Sequence, residues 1–531
     1  MTAASPDSER RLLPRWRASG DALLAGEVRS PISTRAKRSP VNTELEVAQL
    51  LECWQRERSV ESAVELVSAA VVLSAEGDIG SAAELLAHPD SDTSVSMREV
   101  AQRFLAGKSG TPVAPDPLGF GPDEPRLRLA IGAAKRSLRQ YPRNAVVWTD
   151  LARLYVVLGQ RKKALDAVNV AISLAPENRF VLRSATRCLI HTGEELQRGL
   201  QALRSSRSLR TDPWLMAAEI SLAGVAAEAP RSIQWARSMS ADDALDPWDS
   251  SELNGALGTF ALQNGGMGKP SKLFTKSLRN PTENAVAQAA WAAAEHKAAF
   301  VPRQLLLNPN MFEASAIHHR AQRSWPTVLD ACRSWSALEP TSSRPLALGS
   351  FVALAALEDG AAALSFVERA LLTTPNDPVI WNNKAVALAY LGRLPEARQA
   401  HHASNLRVPP RVRLSEPVYL ATEGLLAYRE GDRETGIQRY LAATKVRACT
   451  ANPALRLLVV WHWLREEARC DLAGVDLLVE KIWNASKGLH IPEFASMRDG
   501  ILRQLQSRIG KAGSPPRGGG QLVDLLQHVD G

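Results

Sequence analysis

Two pairs of adjacent histidines are the residues in this sequence that most suggest metal chemistry. The pairs are His318–His319 and His401–His402. Successive residues on a helix point about 100° apart, so the two imidazoles of one pair do not easily hold a single ion. No carboxylate or cysteine stands at ligand spacing beside either pair. The sequence therefore predicts neither a metal site nor a cofactor.

A glycine-rich segment, QNGGMGKP at residues 263–270, has the composition of a phosphate-binding loop but not its pattern. It lacks the G-x-x-x-x-G-K-[ST] spacing, and a helical pattern rather than a strand precedes it. The sequence also contains no GxSxG or HExxH motif and no coupled acid–base set. We therefore expect the segment to be a turn and the protein not to be an enzyme.

Cysteine usage and hydropathy indicate the compartment. The five cysteines are scattered, with no CxxC motif, which argues against a disulfide framework and suits a reducing environment. The N-terminus, MTAASPDSERRLLPRW, has no apolar region behind its charges and is not a secretory signal. The longest mainly apolar run, residues 63–75, is too short to span a bilayer. We expect a soluble, cytoplasmic protein.

The elements that must position any binding residues are clearest in NAVVWTDLARLYVVLGQRKKALDAVNVAISLAPEN, residues 144–178. Large and small apolar residues recur there at helical spacing, a glycine interrupts the helix, a second amphipathic run follows, and a proline ends the unit. The signature positions are Trp148, Leu151, Ala152, Tyr155, Gly159, Ala164, Ala171 and Pro176. This pattern predicts two short helices packed against each other.

The same pattern recurs along the chain at a spacing of about 34 residues. A second clear copy begins near Pro378, and its matching residues are Trp381, Ala385, Gly392, Ala397 and Pro409. Neighbouring units start in register before and after both copies. Between about 225 and 340 the pattern is degraded, and the number of units there stays open. Roughly ten to twelve helix pairs fit the whole chain.

These positions resemble the tetratricopeptide repeat family. The resemblance implies antiparallel helix pairs, with small residues where the two helices approach and large residues filling the gap to the next pair. The predicted fold class is therefore all-α, a right-handed α-solenoid (superhelix) of antiparallel helix pairs of about 34 residues. Abundant alanine, leucine and arginine, with few alternating strand-like runs, agree with that class.

Composition shifts divide the chain into seven predicted regions. They are a basic flexible N-terminal arm (1–40), a helical N-terminal region of divergent repeats or a cap (41–107), a proline- and glycine-rich linker (108–125), a repeat array with degenerate units (126–343), a second clear array (344–450), a C-terminal helical cap (451–512), and a flexible tether with a short amphipathic tail (513–531). The tail either folds back on the body or binds a partner's groove.

The resemblance implies that the first helix of each pair lines a concave groove. In the first array this places Thr149, Arg153, Arg183 and Arg187 on the groove, among apolar neighbours. Arginine binds carboxylates in a bidentate manner, so this surface suits an acidic or carboxylate-ended peptide. The alternative is that these arginines are only solvated. The lysine–asparagine set of chaperone-tail-binding family members is not reproduced, and no chaperone partner is implied.

The groove of the second array is predicted to be mostly apolar. The residues expected to contact a partner there are Asn382, Asn383, Val386 and Tyr428. The two asparagines can hydrogen-bond a peptide backbone, and the apolar surface suits an apolar helix or an extended peptide, the protein's own tail being one candidate.

The predicted function is a non-catalytic protein–protein interaction scaffold or adaptor that binds peptide or protein partners along the groove. One alternative is a nucleic-acid-binding α-solenoid, because the net charge is +8 and the N-terminal arm is basic. Another is a regulatory repeat protein that senses a peptide. A continuous stripe of basic residues favours nucleic acid, whereas basic residues alternating with acids favour the scaffold.

Overall fold

Helices account for every regular element in the part of the chain that the structure, a computed structural model, describes. That part comprises residues 12–19, 43–73, 79–93, 95–108, 124–192, 196–242, 245–264, 269–308, 311–470, 475–489 and 491–509. The first fourteen α-helices are α1 (Thr43–Glu57), α2 (Val60–Leu73), α3 (Gly80–Ala87), α4 (Val95–Lys108), α5 (Glu124–Gln140), α6 (Ala145–Val157), α7 (Arg161–Leu174), α8 (Arg179–Thr192), α9 (Leu196–Ser205), α10 (Pro213–Val225), α11 (Ile233–Ser240), α12 (Pro247–Asn264), α13 (Pro270–Ser277) and α14 (Glu283–His296). A 3-10 helix, Arg207–Arg210, lies between α9 and α10.

The remaining α-helices follow in the same manner, joined by short connections. They are α15 (Arg303–Leu306), α16 (Phe312–Ala321), α17 (Trp325–Leu338), α18 (Arg344–Ala355), α19 (Gly360–Thr373), α20 (Pro378–Tyr390), α21 (Leu394–Leu406), α22 (Pro410–Ser415), α23 (Pro417–Arg429), α24 (Arg433–Lys445), α25 (Arg447–Ala451), α26 (Pro453–Arg469), α27 (Val475–Ser486) and α28 (Glu493–Ile509). The predicted linker, apart from its ends, and the predicted tether and tail lie outside the described residues.

Left-handed glycines form the turns of the clearest helix pairs. Gly159 joins α6 to α7 with φ +68°, and Gly392 joins α20 to α21 with φ +73°. Gly431, between α23 and α24, has φ +89°. Glycine adopts this backbone conformation without the steric penalty of a Cβ atom, which explains why the repeat pattern requires it at the turn.

The two clear copies share a side-chain contact as well as a turn. The indole nitrogen of Trp148 donates to the carbonyl oxygen of Pro142 at 2.9 Å, and that of Trp381 donates to the carbonyl oxygen of Pro375 at 2.8 Å. Each tryptophan is half-buried and ties the start of a first helix to the end of the preceding unit. The tryptophans of the repeat are therefore packing residues in both copies.

The described chain divides into two compact units, and within each unit successive helices pack on their neighbours as in an α-solenoid. The described residues of unit 1 lie within Ser315–Ser336 and Ser342–Gly531, and those of unit 2 lie within Arg10–Ala314 and Ala337–Thr341. Alanines are fully buried where paired helices meet, as at Ala164 and Ala397. The predicted all-α solenoid of helix pairs is confirmed.

Helices α1 to α4, in unit 2, have a hydrophobic cluster of their own. Its buried residues include Trp54, Leu66, Ile79, Leu86 and Val100. The indole nitrogen of Trp54 also donates to the hydroxyl of Ser81 at 3.2 Å, which ties α1 to α3. Over its described residues this region is helical, and none of the positive-φ glycines lies there.

The C-terminal helices of unit 1 contact several earlier helices of that unit. Arg465 of α26 is buried and donates to the carbonyl oxygens of Leu354 and Ala355 at the end of α18, at 3.1 and 2.7 Å. Arg320 of α16 pairs with Glu493 of α28 at 2.6 Å. That these helices cap the last repeat stays a prediction, and in the structure they contact α16 and α18 of unit 1.

Among the residues described above, none of the helices combines the length and the apolar character that crossing a bilayer requires.

Candidate peptide-binding site

The N-terminal segment, Leu12–Ser19, is mostly buried inside unit 2 and carries no helix over its first seven residues. Leu12 and Trp16 are each 1% exposed, and Arg15 is 6% exposed. A basic, proline-containing stretch is ordinarily solvated, so its burial requires partners for both its charges and its apolar side chains. The prediction of a flexible arm does not describe these eight residues, which are docked.

Arg15 supplies the central polar contact of the segment. Its Nη2 donates to Oε2 of Glu313 at 2.6 Å, and its Nη1 donates to Oε1 of Glu339 at 2.5 Å. Oε1 of Glu283 lies 3.6 Å from Nη2. The planar guanidinium can meet several carboxylates at once through its fixed fork of donors, which a lysine ammonium does not reproduce.

Charges around Arg15 decide the protonation of the cluster. Burial alone lowers the pKa of Arg15, but the carboxylates of Glu283, Glu339 and Glu313 outweigh it and raise that pKa, so the guanidinium stays charged. Burial raises the pKa of Glu283 despite Arg15 and Arg17, whereas Arg15 overcomes burial and lowers the pKa of Glu339. Burial of the three carboxylates is thus unfavourable by itself, and the guanidinium of Arg15 offsets that cost.

Apolar side chains of the segment fill positions that the helices leave open. Leu12 lies against Gly255 of α12, where an added Cβ would stand 2.7 Å from its Cδ1 atom. Trp16 belongs to the hydrophobic cluster that contains Leu151, Tyr155 and Val156 of α6. Leu12 therefore fits where a side chain is absent, and Trp16 packs into an existing apolar cluster.

Backbone contacts set the direction of the segment. The side-chain amide of Asn284, on α14, donates to the carbonyl oxygen of Leu13 at 3.0 Å. At the other end, the backbone N–H of Ser19 donates to Oδ1 of Asp150, on α6, at 2.9 Å. The segment thus begins beside α12 and α14 and ends beside α6. The polar partners named above lie on α6, α14 and α16 and directly after α17.

The predicted binding residues of α6 lie close to this segment. Thr149 is buried, and its hydroxyl donates to the carbonyl oxygen of Ala145 at 2.9 Å. Arg153 is also buried, and its charge acts on Asp150, the residue that accepts from Ser19. Burial raises the pKa of Asp150, and the hydrogen bonds from Ser19 and the charge of Arg153 oppose that shift.

The predicted arginines of α8 face carboxylates of the same protein. Arg183 donates to Oε2 of Glu252, on α12, at 2.7 Å, and its guanidinium lies 4.2 Å from the ring centre of Trp214. Arg187 is half-buried, and its charge lowers the pKa of Glu339. Arg153 thus lies on α6, and Arg183 and Arg187 lie on α8. Each has an acidic side chain of unit 2 near it, which the sequence interpretation did not include.

The predicted binding residues of α20, in unit 1, differ in accessibility. Asn382 is fully buried, and neither atom of its amide has a hydrogen-bond partner among the described residues. Asn383 is half-buried and donates to the hydroxyl of Ser350 at 3.4 Å, and Val386 is half-buried. Contact of Asn382 with a peptide therefore requires its covering atoms to move.

Tyr428, on α23, lies in the interior of unit 1 rather than on an open surface. Its hydroxyl donates to Oε1 of Glu467 at 2.5 Å and accepts from the indole N–H of Trp463 at 2.8 Å. Burial, followed by the charge of Glu467, raises the pKa of Tyr428, so the phenol stays neutral. In this position the side chain connects α23 to α26.

The two histidine pairs occupy helices α16 and α21. The rings of His318 and His319 lie 5.4 Å apart at an angle of 68°. His401 is buried beside Glu423, with 3.6 Å between its Nε2 and Oε1. Over the ranges that the structure describes, His, Cys, Asp and Glu side chains form no group of three that could hold a metal ion.

Sequence reasoning missed the acidic residues that receive the segment. Two of them, Glu283 and Glu313, stand near the start of first helices at close to the repeat spacing, in the region where the apolar pattern is degraded. Glu252 continues this spacing, although it pairs with Arg183 and not with the segment. A search for charged residues at repeat spacing, rather than for apolar ones, could have found them.

Comparisons with known proteins describe what the chain resembles. No protein-family model matches it, and no curated protein matches its sequence. The Cut9–Hcn1 hetero-tetramer of APC/C has a chain with TM-score 0.37 and 12% identity over 87% of this chain and 93% of its own. Yeast Tom70 gives 0.31 and 12% over 89% and 100%, and the Naa15/Naa10 complex bound to HypK-THB gives 0.23 and 14% over 88% and 80%. At these identities and TM-scores, none of the three likenesses transfers a function or partner to this chain.

Proposed function

We propose that the protein is a non-catalytic interaction scaffold, and that a face of unit 2 formed by α6, α12, α14 and the start of α16 is its principal site for an extended peptide segment. The observation that carries this proposal is the burial of Leu12–Ser19 among side chains of α6, α12, α14 and α16. A surface that holds one extended segment through backbone and side-chain contacts has the features needed to hold another.

The charges of this site favour a basic partner over an acidic one. The predicted arginines already face acids, as Arg183 does with Glu252 at 2.7 Å. The buried acids Glu283, Glu313 and Glu339 instead receive a guanidinium from the segment. We therefore replace the acidic or carboxylate-ended peptide of the sequence interpretation with a segment that carries arginine.

Nucleic-acid binding remains the second candidate, but no specific observation favours it. Several arginines in the described ranges form ion pairs with acids of the same protein. Examples on the outer helices are Arg204 with Glu219 and Glu228, and Arg398 with Glu430. Such pairs neutralise the charge that a phosphate backbone requires.

The proposal is tested by opening the site and adding a peptide. A release variant of the full chain carries Leu12→Ala, Arg15→Gln and Trp16→Ala, which remove the two buried apolar side chains and the guanidinium. Fluorescence anisotropy then follows binding of a labelled synthetic peptide with the sequence of residues 9–22. We expect saturable binding at micromolar concentration, with a scrambled peptide of the same composition as control.

Circular dichroism must show that the release variant keeps its helices. Absence of saturable binding by a variant that is folded would overturn the proposed site. Equal binding of the scrambled peptide would reduce the interaction to a non-specific charge effect.

A further inference from the structure

We infer that the natural partner of unit 2 presents an extended aliphatic–proline–arginine–aromatic segment, and that it binds by displacing the protein's own Leu12–Ser19. This inference rests on the proposed function and names both the partner chemistry and the competition that controls the site. The N-terminal segment is, in this view, an internal copy of the partner's motif.

Arginine is required by the carboxylates that meet at the site. Glu283, Glu313 and Glu339 all lie within 3.6 Å of Arg15, and all three are at most 6% exposed. A buried carboxylate that loses its cation costs several kcal/mol, so the empty site is unfavourable. A partner that displaces the segment must therefore place its own guanidinium where that of Arg15 lies. The N–H donors of one guanidinium can reach more than one carboxylate.

A second basic residue and an aromatic residue complete the motif. Arg17 donates to Oε2 of Glu283 at 2.8 Å, so Glu283 meets two guanidinium groups of the segment. Trp16, between these arginines, points into the cluster around Leu151. The alternation places charges and an apolar ring on different sides of an extended chain, as expected for period-two geometry.

Proline and the aliphatic residues shape the other half of the motif. Pro14 is buried, and the residue before a proline is held in an extended conformation, which presents the carbonyl of Leu13 to Asn284. Leu12 fits the space over Gly255. The partner class is thus defined by five neighbouring features, of which only two are positive charges.

Competition follows from the covalent connection of the segment to unit 2. A tethered ligand has an effective concentration on the order of 1 mM. A free peptide of micromolar affinity must therefore bind the intact chain much more weakly than the release variant. Displacement becomes effective when the partner is locally concentrated or carries further contacts.

The experiment compares three forms of the full chain with two peptides. The forms are the wild type, the release variant, and a variant with a protease site placed between residues 20 and 42 that can be cut after folding. The peptides have the sequence of residues 9–22 with the arginine corresponding to Arg15 kept or replaced by glutamine. Anisotropy measures affinity, and light scattering measures the mass of each form.

We expect the peptide with arginine to bind the release variant at least about tenfold more tightly than it binds the wild type, a difference of about 1.4 kcal/mol. After the connecting chain of the protease-site variant is cut, we expect the labelled peptide to replace the bound segment Leu12–Ser19 more readily than it does in the uncut chain. The glutamine peptide is expected to bind the release variant at least about tenfold more weakly than the arginine peptide does.

Each contrary outcome points to a different error. Equal affinity of wild type and release variant overturns the displacement while leaving the proposed site intact. Equal affinity of the two peptides overturns arginine selection but not peptide binding. A wild-type dimer that dissociates in the release variant shows that the segment is exchanged between copies, which also overturns the cis competition. Failure of every peptide with every folded form overturns the proposed function itself.

Discussion

Arg15 and Glu313 form a buried ion pair at 2.6 Å although 298 residues separate them in sequence. The contact joins the N-terminal segment to α16, at the far end of unit 2. It makes the first described residues of the chain part of the interior of a repeat array instead of a solvated arm.

Removing the guanidinium should release the segment. Arg15→Gln leaves Glu283, Glu313 and Glu339 without it, and breaking a buried pair costs about 3–5 kcal/mol if the structure cannot relax. Undocking relieves part of that cost by returning the acids to water. We therefore expect at least about a 100-fold loss of hydrogen-exchange protection at the backbone amides of residues 12–19. Arg139→Gln, at an exposed position of α5, is the control, and unchanged protection in the Arg15 variant would contradict the assignment.

Filling the space under Leu12 should have a local effect. In Gly255→Ala, the new Cβ would meet Leu12 at 2.7 Å, and overpacking of this kind typically costs about 1–3 kcal/mol. We expect faster hydrogen exchange at the backbone amides of Leu12–Ser19. Adding Leu12→Ala should return this exchange towards the wild-type rate. Gly258→Ala, on the same helix, meets Phe274 at 3.1 Å instead and serves as control. Equal effects of both glycine variants on the segment would show that Leu12 does not occupy this space.

Tyr428 should contribute to stability and not to peptide binding. Tyr428→Phe deprives Glu467 of a donor and the indole of Trp463 of an acceptor, and an unsatisfied buried polar group costs about 1–3 kcal/mol. Urea unfolding should register a loss of that order, with peptide affinity of the release variant unchanged. Tyr141→Phe, at a largely exposed site, should leave stability the same. Weaker peptide binding by Tyr428→Phe, with an unchanged free energy of unfolding, would instead show that Tyr428 contacts the peptide.

The turn glycines should be required for their backbone conformation. A Cβ at Gly392 would meet no atom within 4 Å, yet its φ is +73°. Gly392→Ala should therefore cost about 1–2 kcal/mol through backbone strain alone. Gly488→Ala is matched in its open surroundings and does not have a positive φ, so its effect on urea unfolding should be close to zero. Equal stability of the two variants would argue against strain at the turn.

A carboxylate outside the site should make stability depend on pH. Burial alone raises the pKa of Glu177, but hydrogen bonds from Ser206, Ser208 and Arg207 outweigh it and hold the pKa at about 2. Because this value lies below the ordinary 4.5, the ionised group stabilises the fold above pH 4.5, and that contribution is lost as pH falls towards 2.

The substitution Glu177→Gln should therefore lower Tm at pH 7, and its Tm should approach that of the wild type as pH falls from about 4.5 to 2. Glu434→Gln, at an exposed position of α24, is the control variant. A Tm difference that stays constant across this pH range would contradict the role of the ionised group.

Local geometry explains why the helix pairs could be predicted from sequence. A left-handed turn requires glycine at Gly159 and Gly392, and closely approaching helices require alanine at Ala164 and Ala397, so these constraints appear directly in the residue types. The division into helices was therefore accessible without knowledge of distant contacts.

Long-range pairing explains why the binding segment could not be predicted. The net positive charge of the first 40 residues predicts a solvated arm, although Leu12 and Trp16 within it are apolar and fully buried. Nothing local indicates that Arg15 meets Glu339, 324 residues away. The acids themselves lie where the apolar repeat pattern is weakest, so their register was not visible.

The distance along the chain between Arg15 and its partners also sets an order of events during synthesis. The segment is synthesised roughly 300 residues before residues 313 and 339, which complete its site. Contacts of such long range form after local helix pairs, because they close the largest loop of chain. Docking of Leu12–Ser19 is therefore a late step of folding, and a protected N-terminus identifies chains in which unit 2 is complete.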